Sequence, residues 1–259
     1  MKKNNGSVLG LIIGIGAIFG SFIFEGGSLK ALFNLPPLVI VFGGTFAAVI
    51  IGFGFDRFVN IPTLIKMAYT PKEYNLIDLI NSMVDFSIIS RKEGLLAIEK
   101  RIDDLEYVFS RKLLRYIIDG TDADSLQNLA YLEIKSMQER HQSNAFIFTK
   151  MGGYAPTMGI IGTVMGLIMT LANASGNSDL LVKNIASAFI ATLWGVVSAN
   201  IVWLPIGDKL KQCHLQEKQM MEISLEGALS LQSGEIPSVI KAKLLGLLPQ
   251  KDQLKALSL

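Results

Sequence analysis

Cysteine is all but missing from this sequence. The single copy, Cys213, excludes an intramolecular disulfide and leaves no cysteine pair for a zinc site. Histidine is nearly as scarce. His141 and His214 are the only two, and neither has a second histidine or a cysteine at ligand spacing, so both are expected to be solvated or to cap helices. Charge is thin too, at 18% of 259 residues, against about 25% in soluble domains. A net charge of +2 gives no sign of a nucleic-acid partner. No GxxxxGK[ST], GxGxxG, HExxH or GxSxG motif occurs, and the nearest run, GIGAIFG at Gly14, has the wrong spacing. Neither an enzyme nor a cofactor is expected.

The missing charge is concentrated. Residues 4–24, 31–55, 151–178 and 184–207 contain no charged side chain and are bounded by Lys3 and Glu25, Lys30 and Asp56, Lys150 and Asp179, and Lys183 and Asp208. A bilayer span needs about 20 apolar residues, because a helix rises about 1.5 Å per residue across roughly 30 Å of hydrocarbon. Four membrane spans are expected. Lys2 and Lys3 ahead of the first run would also suit a secretory signal, but the run is long and a second follows closely, which favours an uncleaved helix.

Basic residues set the orientation. The connections at 25–30 and 179–183 carry one each, whereas residues 56–150 carry 13 and residues 208–259 carry 7. The positive-inside rule therefore places both termini and the large middle segment in the cytoplasm. The expected fold is an all-α integral membrane protein: two spans within 1–55 (about 7–24 and 35–55), a cytoplasmic helical domain at 56–150, two spans within 151–207 (about 151–174 and 184–207), and a helical cytoplasmic tail at 208–259.

In the middle segment apolar residues recur at three and four. Leu76, Ile77, Leu79, Ile80, Met83, Val84 and Phe86 form one wide helical face. SRKEGLLAIEKRIDDLEYVF repeats the pattern through Leu95, Ile98, Ile102, Leu105 and Phe109, with Ser90 expected as an N-cap three residues before Glu93. After Asp119-Gly120 the run TDADS offers a fresh N-cap, and no proline or glycine follows before Lys150. One helix is therefore expected to run from there into the third span, and the fourth is expected to continue through residues 208–231.

The third span is unusual in what it contains. GGYAPTMGIIGTVMGL, residues 152–167, holds a proline, several glycines and two threonines. Gly159, Gly162 and Gly166 lie along one side of a helix, and the fourth span answers with Ala188, Ala191, Gly195 and Ala199. Small residues at that spacing let two helix backbones approach closely. Pro156 and Pro205 each remove a backbone hydrogen bond, which a membrane helix tolerates and a hinge would use. Thr163 and Thr192 lie roughly 18 and 22 Å from the cytoplasmic side, counted at about 1.5 Å per residue. Each hydroxyl can bond a carbonyl of its own helix, or the two can offer oxygens to a hard cation such as sodium. No span contains Asp, Glu, Lys, Arg or His. An ion-coupled membrane machine generally needs an ionisable group in the bilayer, so a second chain would have to bring it.

These residues resemble the MotA family of flagellar stator subunits. The resemblance rests on residues 152–167, on SAFIATLWGVVSANIVWLPIGDKL, on SRKEGLLAIEKRIDD and on ERHQ, and it covers essentially the whole chain. It implies a ring of five copies in the bacterial inner membrane around a pair of MotB-type helices, each bringing the membrane aspartate that carries the ion, with cytoplasmic domains that engage the rotor protein FliG. Pro156 and Pro205 match the family's two functional prolines, and Arg91 and Glu99 match its charged pair implicated in rotor contact. Their eight-residue spacing is expected to place the pair about two turns apart on one helix face. Thr192 matches a threonine shared by proton- and sodium-driven members. Thr163 resembles the sodium-driven type, so the expected ion is H+ or Na+ with the balance towards Na+. The alternatives are an ExbB- or TolQ-like energiser, whose members usually have three spans, a self-sufficient transporter, and a scaffold without ion traffic.

Overall fold

The computed structural model of the chain describes residues 5–173 and 178–257. The start of the first uncharged run, with Lys2 and Lys3, and residues 174–177 of the third lie outside these. Every element among the described residues is helical. The first half contains α1 (Asn5–Phe24), α2 (Leu29–Leu32), α3 (Leu35–Leu38), α4 (Gly44–Phe53), α5 (Phe55–Val59) and α6 (Ile61–Tyr69). Then come α7 (Leu76–Glu93), α8 (Val108–Ile118), the 50-residue α9 (Ala123–Ala172), α10 (Ser178–Val197), α11 (Leu204–Gln232), α12 (Pro237–Gly246) and α13 (Gln250–Leu257). Two π-helical stretches, Val39–Gly43 and Ser198–Trp203, join α3 to α4 and α10 to α11, and a 3-10 helix, Leu95–Asp104, lies between α7 and α8.

Four of these helical stretches are long and apolar enough to cross a membrane: Gly6–Phe24, Leu35–Phe53, Ala123–Ala172 and Ser178–Gln232. The last two are the long continuous helices expected from the absence of glycine and proline before Lys150 and the apolar run after it. Asp122 caps α9, its carboxylate accepting the Ser125 amide at 2.9 Å. Hydrogen bonding from the Ser125 hydroxyl, and then from its amide, holds Asp122 below the ordinary carboxylate pKa.

The chain divides into two compact units, Met1–Lys72 with His141–Cys213, and Glu73–Arg140 with His214–Leu259. The divisions fall between α6 and α7, inside α9 and inside α11. Thus α5 and α6 belong with the apolar helices, and the tail shares a unit with the middle segment.

In the first unit the core gathers Val49, Ile61, Leu64, Phe148, Met151 and Trp203. Phe46 meets both Phe58 and Trp203 edge-on, at 5.5 and 6.1 Å between ring centroids. A Cβ at Gly152 would lie 2.4 Å from Leu204, so α9 and α11 touch at the glycine itself.

The second unit is an apolar helical cluster. Leu79, Ile80, Met83 and Phe86 of α7 are buried, as the periodicity anticipates, against Ile98, Leu113, Ile223 and Leu244. One buried polar link crosses it. Ser224 donates to the Met220 carbonyl at 2.8 Å, leaving its oxygen to accept from Ser110 at 2.6 Å. Both hydroxyls are satisfied without water.

Two expectations fail here. Ser90 is no N-cap: it lies inside α7, and its carbonyl accepts the Gly94 amide at 2.9 Å. Gly94, at φ +88°, ends that helix in backbone space open to glycine, so SRKEGLLAIEKRIDDLEYVF is split between α7, the 3-10 helix and α8. His214 is not solvated either. At 8% exposure it is buried on α11, while His141 is half-buried.

Candidate functional site

The site is built by how closely α9 and α10 pack. A Cβ at Gly159 would stand 2.9 Å from the Ala191 carbonyl oxygen and 3.2 Å from Thr192 Cα. At Gly162 it would meet Ala191 Cβ at 2.6 Å, and at Gly166 it would meet Ala188 Cβ at 2.8 Å. From the other side, a Cβ at Gly195 would lie 2.7 Å from the Ala155 carbonyl oxygen and 3.2 Å from Pro156 Cα. Real Cβ atoms do not approach so closely, so this contact requires glycine at those positions.

That approach brings the two threonines together. Thr163 Oγ1 lies 2.5 Å from Thr192 Oγ1, 3.0 Å from the Ala188 carbonyl oxygen and 3.1 Å from the carbonyl oxygen of Gly159. Thr163 has one proton, so it donates to one carbonyl at a time while its oxygen accepts from Thr192. The bond to its own helix and the pairing across helices therefore coexist. Four uncharged oxygens converge at one place, and both hydroxyls are half-buried. Beyond Thr163, α9 exposes Ile160, Ile161, Val164, Met165 and Ile168, so the threonine pair lies beside a wide apolar face that this chain leaves uncovered.

The prolines occupy two different settings. Pro156 lies inside α9, packed on Gly195, and leaves the Gly152 carbonyl without its helical donor. Pro205 lies in the first turn of α11, directly after the π-helical Ser198–Trp203, and likewise has no amide to donate to the turn before it. A π-helical segment is itself a common mark of a functional position. The sequence carried no sign of it beyond the proline.

Arg91 and Glu99 are both exposed, but they do not share a helix face. Arg91 is in the last turn of α7 and Glu99 lies on the 3-10 helix, with Gly94 turning the backbone between them. The eight-residue spacing therefore does not span two turns of one helix.

Trp194 was not foreseen. Its indole N–H donates to the Leu32 carbonyl at 2.9 Å, and its ring packs on Phe19, Phe33 and Phe42 with centroids 5.9, 5.7 and 6.3 Å away. Close by, Asn34 donates to Ser187 Oγ at 3.2 Å. The connection between α1 and α4 is thus fastened to α10 within two residues of Thr192. A tryptophan in the middle of a span whose other aromatics are Phe189 and Trp203 was the available signal.

Comparison with known proteins places this architecture. A family model described as motility protein A N-terminal matches residues 8–94, and one described as the MotA/TolQ/ExbB proton channel family matches residues 101–223. Motility protein A of Bacillus subtilis (strain 168) is 37% identical over 250 residues, covering 96% of this chain and 92% of that protein. The solved flagellar MotAB stator complex from Bacillus subtilis superposes with a TM-score of 0.89 at 36% identity, covering 96% of this chain and 97% of that one. The structure of C. jejuni MotAB gives a TM-score of 0.89 at 25% identity, covering 95% and 96%. The chain belongs to the motility protein A family, within the MotA/TolQ/ExbB proton channel proteins.

Proposed function

We propose that this multi-pass membrane protein is a flagellar stator subunit, acting as a motor and channel component rather than an enzyme. In this reading five copies surround two helices of a MotB-type partner, and the second unit faces the cytoplasm, where it engages FliG. Inward ion flow turns the ring and so the rotor. The superposable structures, MotAB of C. jejuni and the flagellar MotAB stator complex from Bacillus subtilis, support the partner. The match of residues 8–94 to the motility protein A N-terminal model supports a motor over an envelope energiser.

The observation that carries the mechanism is the threonine pair in a wall without charge. The partner would bring an aspartate against the apolar face beside Thr163. While charged, that carboxylate faces a desolvation cost, and ion binding removes it. The two states then favour different ring positions, which is the bias a stepping element needs. Thr163 and Thr192 Oγ1, with the Gly159 and Ala188 carbonyls beside them, offer the neutral oxygens that suit sodium. Pro156 and Pro205 mark the places where α9 and α11 have an interrupted hydrogen-bond ladder and where a turn of the ring can be absorbed.

The test is rotation of single tethered cells whose only stator contains this chain and its native partner, with sodium exchanged for potassium at constant pH. Rotation is expected to stop without sodium and to survive a proton uncoupler while sodium is present. Rotation that persists without sodium and collapses with the uncoupler would make the motor proton-driven and Thr163 a packing hydroxyl. No rotation in either buffer from an assembled complex would overturn the motor reading.

A further inference from the structure

The first unit contains a cavity of about 420 Å³ that the motor reading does not use. It opens between α1 and the junction of α10 with α11. A Cβ at Gly14 would lie 3.1 Å from Ile201 Cδ1, so the two helices touch there. One turn nearer the start of α1 they have parted, because a Cβ at Gly10 would meet nothing within 4 Å. Gly10 therefore borders open space rather than a tight contact.

The cavity has two ends along its helices. Gly10 and Leu11 of α1, with Ile201 and the polar Asn200 of the π-helical stretch, line it within the uncharged runs, while Ser7, Lys209 and Gln212 line it towards their charged ends, which form the mouth. Ser7 is in the first turn of the membrane-length stretch Gly6–Phe24, and Lys209 and Gln212 follow the last uncharged residue of the fourth span. The mouth is thus at the depth where hydrocarbon gives way to headgroups. Asp208 and Lys209 are the charged residues lining the cavity. Asp208 is bound by Lys211 at 2.9 Å, which leaves Lys209 as the cation facing the cavity. Pro205, exposed, forms the wall between the two ends, on the same face of α11 as Lys209 and Gln212.

We infer that this groove is a binding site for one anionic phospholipid, with an acyl chain along Gly10, Leu11 and Ile201 and the phosphate beside Lys209. An apolar slot with a basic, hydrogen-bonding mouth at the membrane boundary is what such a lipid requires. The occupant would rest on the Pro205 ring, where the backbone ladder is interrupted, and would brace that junction. The inference requires only that these helices span a bilayer, so it stands or falls separately from ion coupling.

The full chain, in whatever assembly it purifies, is reconstituted in vesicles of phosphatidylcholine and phosphatidylglycerol and extracted into detergent. Native mass spectrometry then counts the lipid that remains bound. The wild-type chain is expected to retain phosphatidylglycerol in preference to phosphatidylcholine. Lys209→Gln should reduce that preference about fivefold, the share one basic residue contributes at an anionic surface. Gly10→Phe should lose both lipids. Gly16→Phe, at a glycine of the same helix that also borders open space but does not line the groove, should lose neither. Equal retention by Gly10→Phe and Gly16→Phe overturns the site. So does an unchanged preference in Lys209→Gln, which decides the matter alone if Gly10→Phe fails to fold. A change in the number of copies in Gly10→Phe without loss of lipid would assign the groove to a neighbouring copy and overturn the lipid reading as well.

Discussion

Gly195 meets Ala155 backbone to backbone: a Cβ on the glycine would sit 2.7 Å from the alanine's carbonyl oxygen. Backbone cannot move aside as a side-chain tip can, so any larger residue there pushes α10 off α9. Overpacking of this kind costs about 1–3 kcal/mol, and it separates Thr192 from Thr163. With Cys213 replaced by serine, cysteines at positions 163 and 192 are expected to cross-link in the parent chain. Gly195→Val should reduce that cross-linking sharply while the protein still inserts. Undiminished cross-linking would mean that the helices are not held at this point.

The threonine pair makes an oxygen-specific prediction. Thr163→Ser keeps the hydroxyl, and Thr163→Val keeps the shape without it. Losing one oxygen contact to a charged species costs about 1.5 kcal/mol or more, roughly tenfold in affinity. The sodium concentration for half-maximal rotation should therefore rise about tenfold in Thr163→Val and stay near the parent value in Thr163→Ser. Similar behaviour of both variants would show that packing, not the oxygen, matters at this position.

What was legible in the sequence were features governed by local composition. The uncharged runs mark the membrane-length helices because charge is costly in hydrocarbon, and the stretch free of glycine and proline before Lys150 belongs to the single helix Ala123–Ala172. What was hidden depends on partners far away or on backbone choices that side-chain pattern does not encode. Trp194 finds its acceptor 162 residues earlier, at Leu32. Gly94 could have been an ordinary helical glycine, and only its φ of +88° separates Arg91 from Glu99. His214 lies on a polar-looking stretch, yet it is buried.

Trp194 is expected to position Thr192 through that long-range bond. Trp194→Phe keeps an aromatic ring among Phe19, Phe33 and Phe42 but removes the donor to Leu32, at a cost of about 1 kcal/mol. Hydrogen exchange should then quicken at residues 29–38 without faster exchange in the second unit. Unchanged protection at 29–38 would mean that ring packing alone holds the connection.

Tyr107 ties down the start of α7. It is buried, and its hydroxyl oxygen accepts the Asn75 amide at 2.6 Å. Tyr107→Phe should cost about 1 kcal/mol and accelerate exchange in the first turn of α7. Burial also pushes the phenol above its usual pKa of 10.0. A group raised in the folded state contributes stability that is intact below the unfolded pKa and is lost as the pH rises through the folded one. The parent protein should therefore lose stability above about pH 10, and Tyr107→Phe should flatten that part of the alkaline slope. A slope that persists unchanged would have to come from other groups.

Arg91 and Glu99 test whether rotor contact needs a shared helix face. Both are exposed on separate elements flanking Gly94, so reversing them disturbs no core packing, and exposed changes of this kind usually alter stability by about 0.5 kcal/mol or less. Arg91→Glu with Glu99→Lys is expected to leave membrane insertion and assembly intact while it weakens swimming on soft agar. Compensating charge reversals on the rotor side should restore motility if the two residues act through direct ion pairs. Normal swimming of the double variant would remove both residues from the rotor interface. Reduced swimming that no rotor change repairs would instead point to the turn at Gly94, whose flanking charges would then matter for the shape of that surface rather than for its pairing.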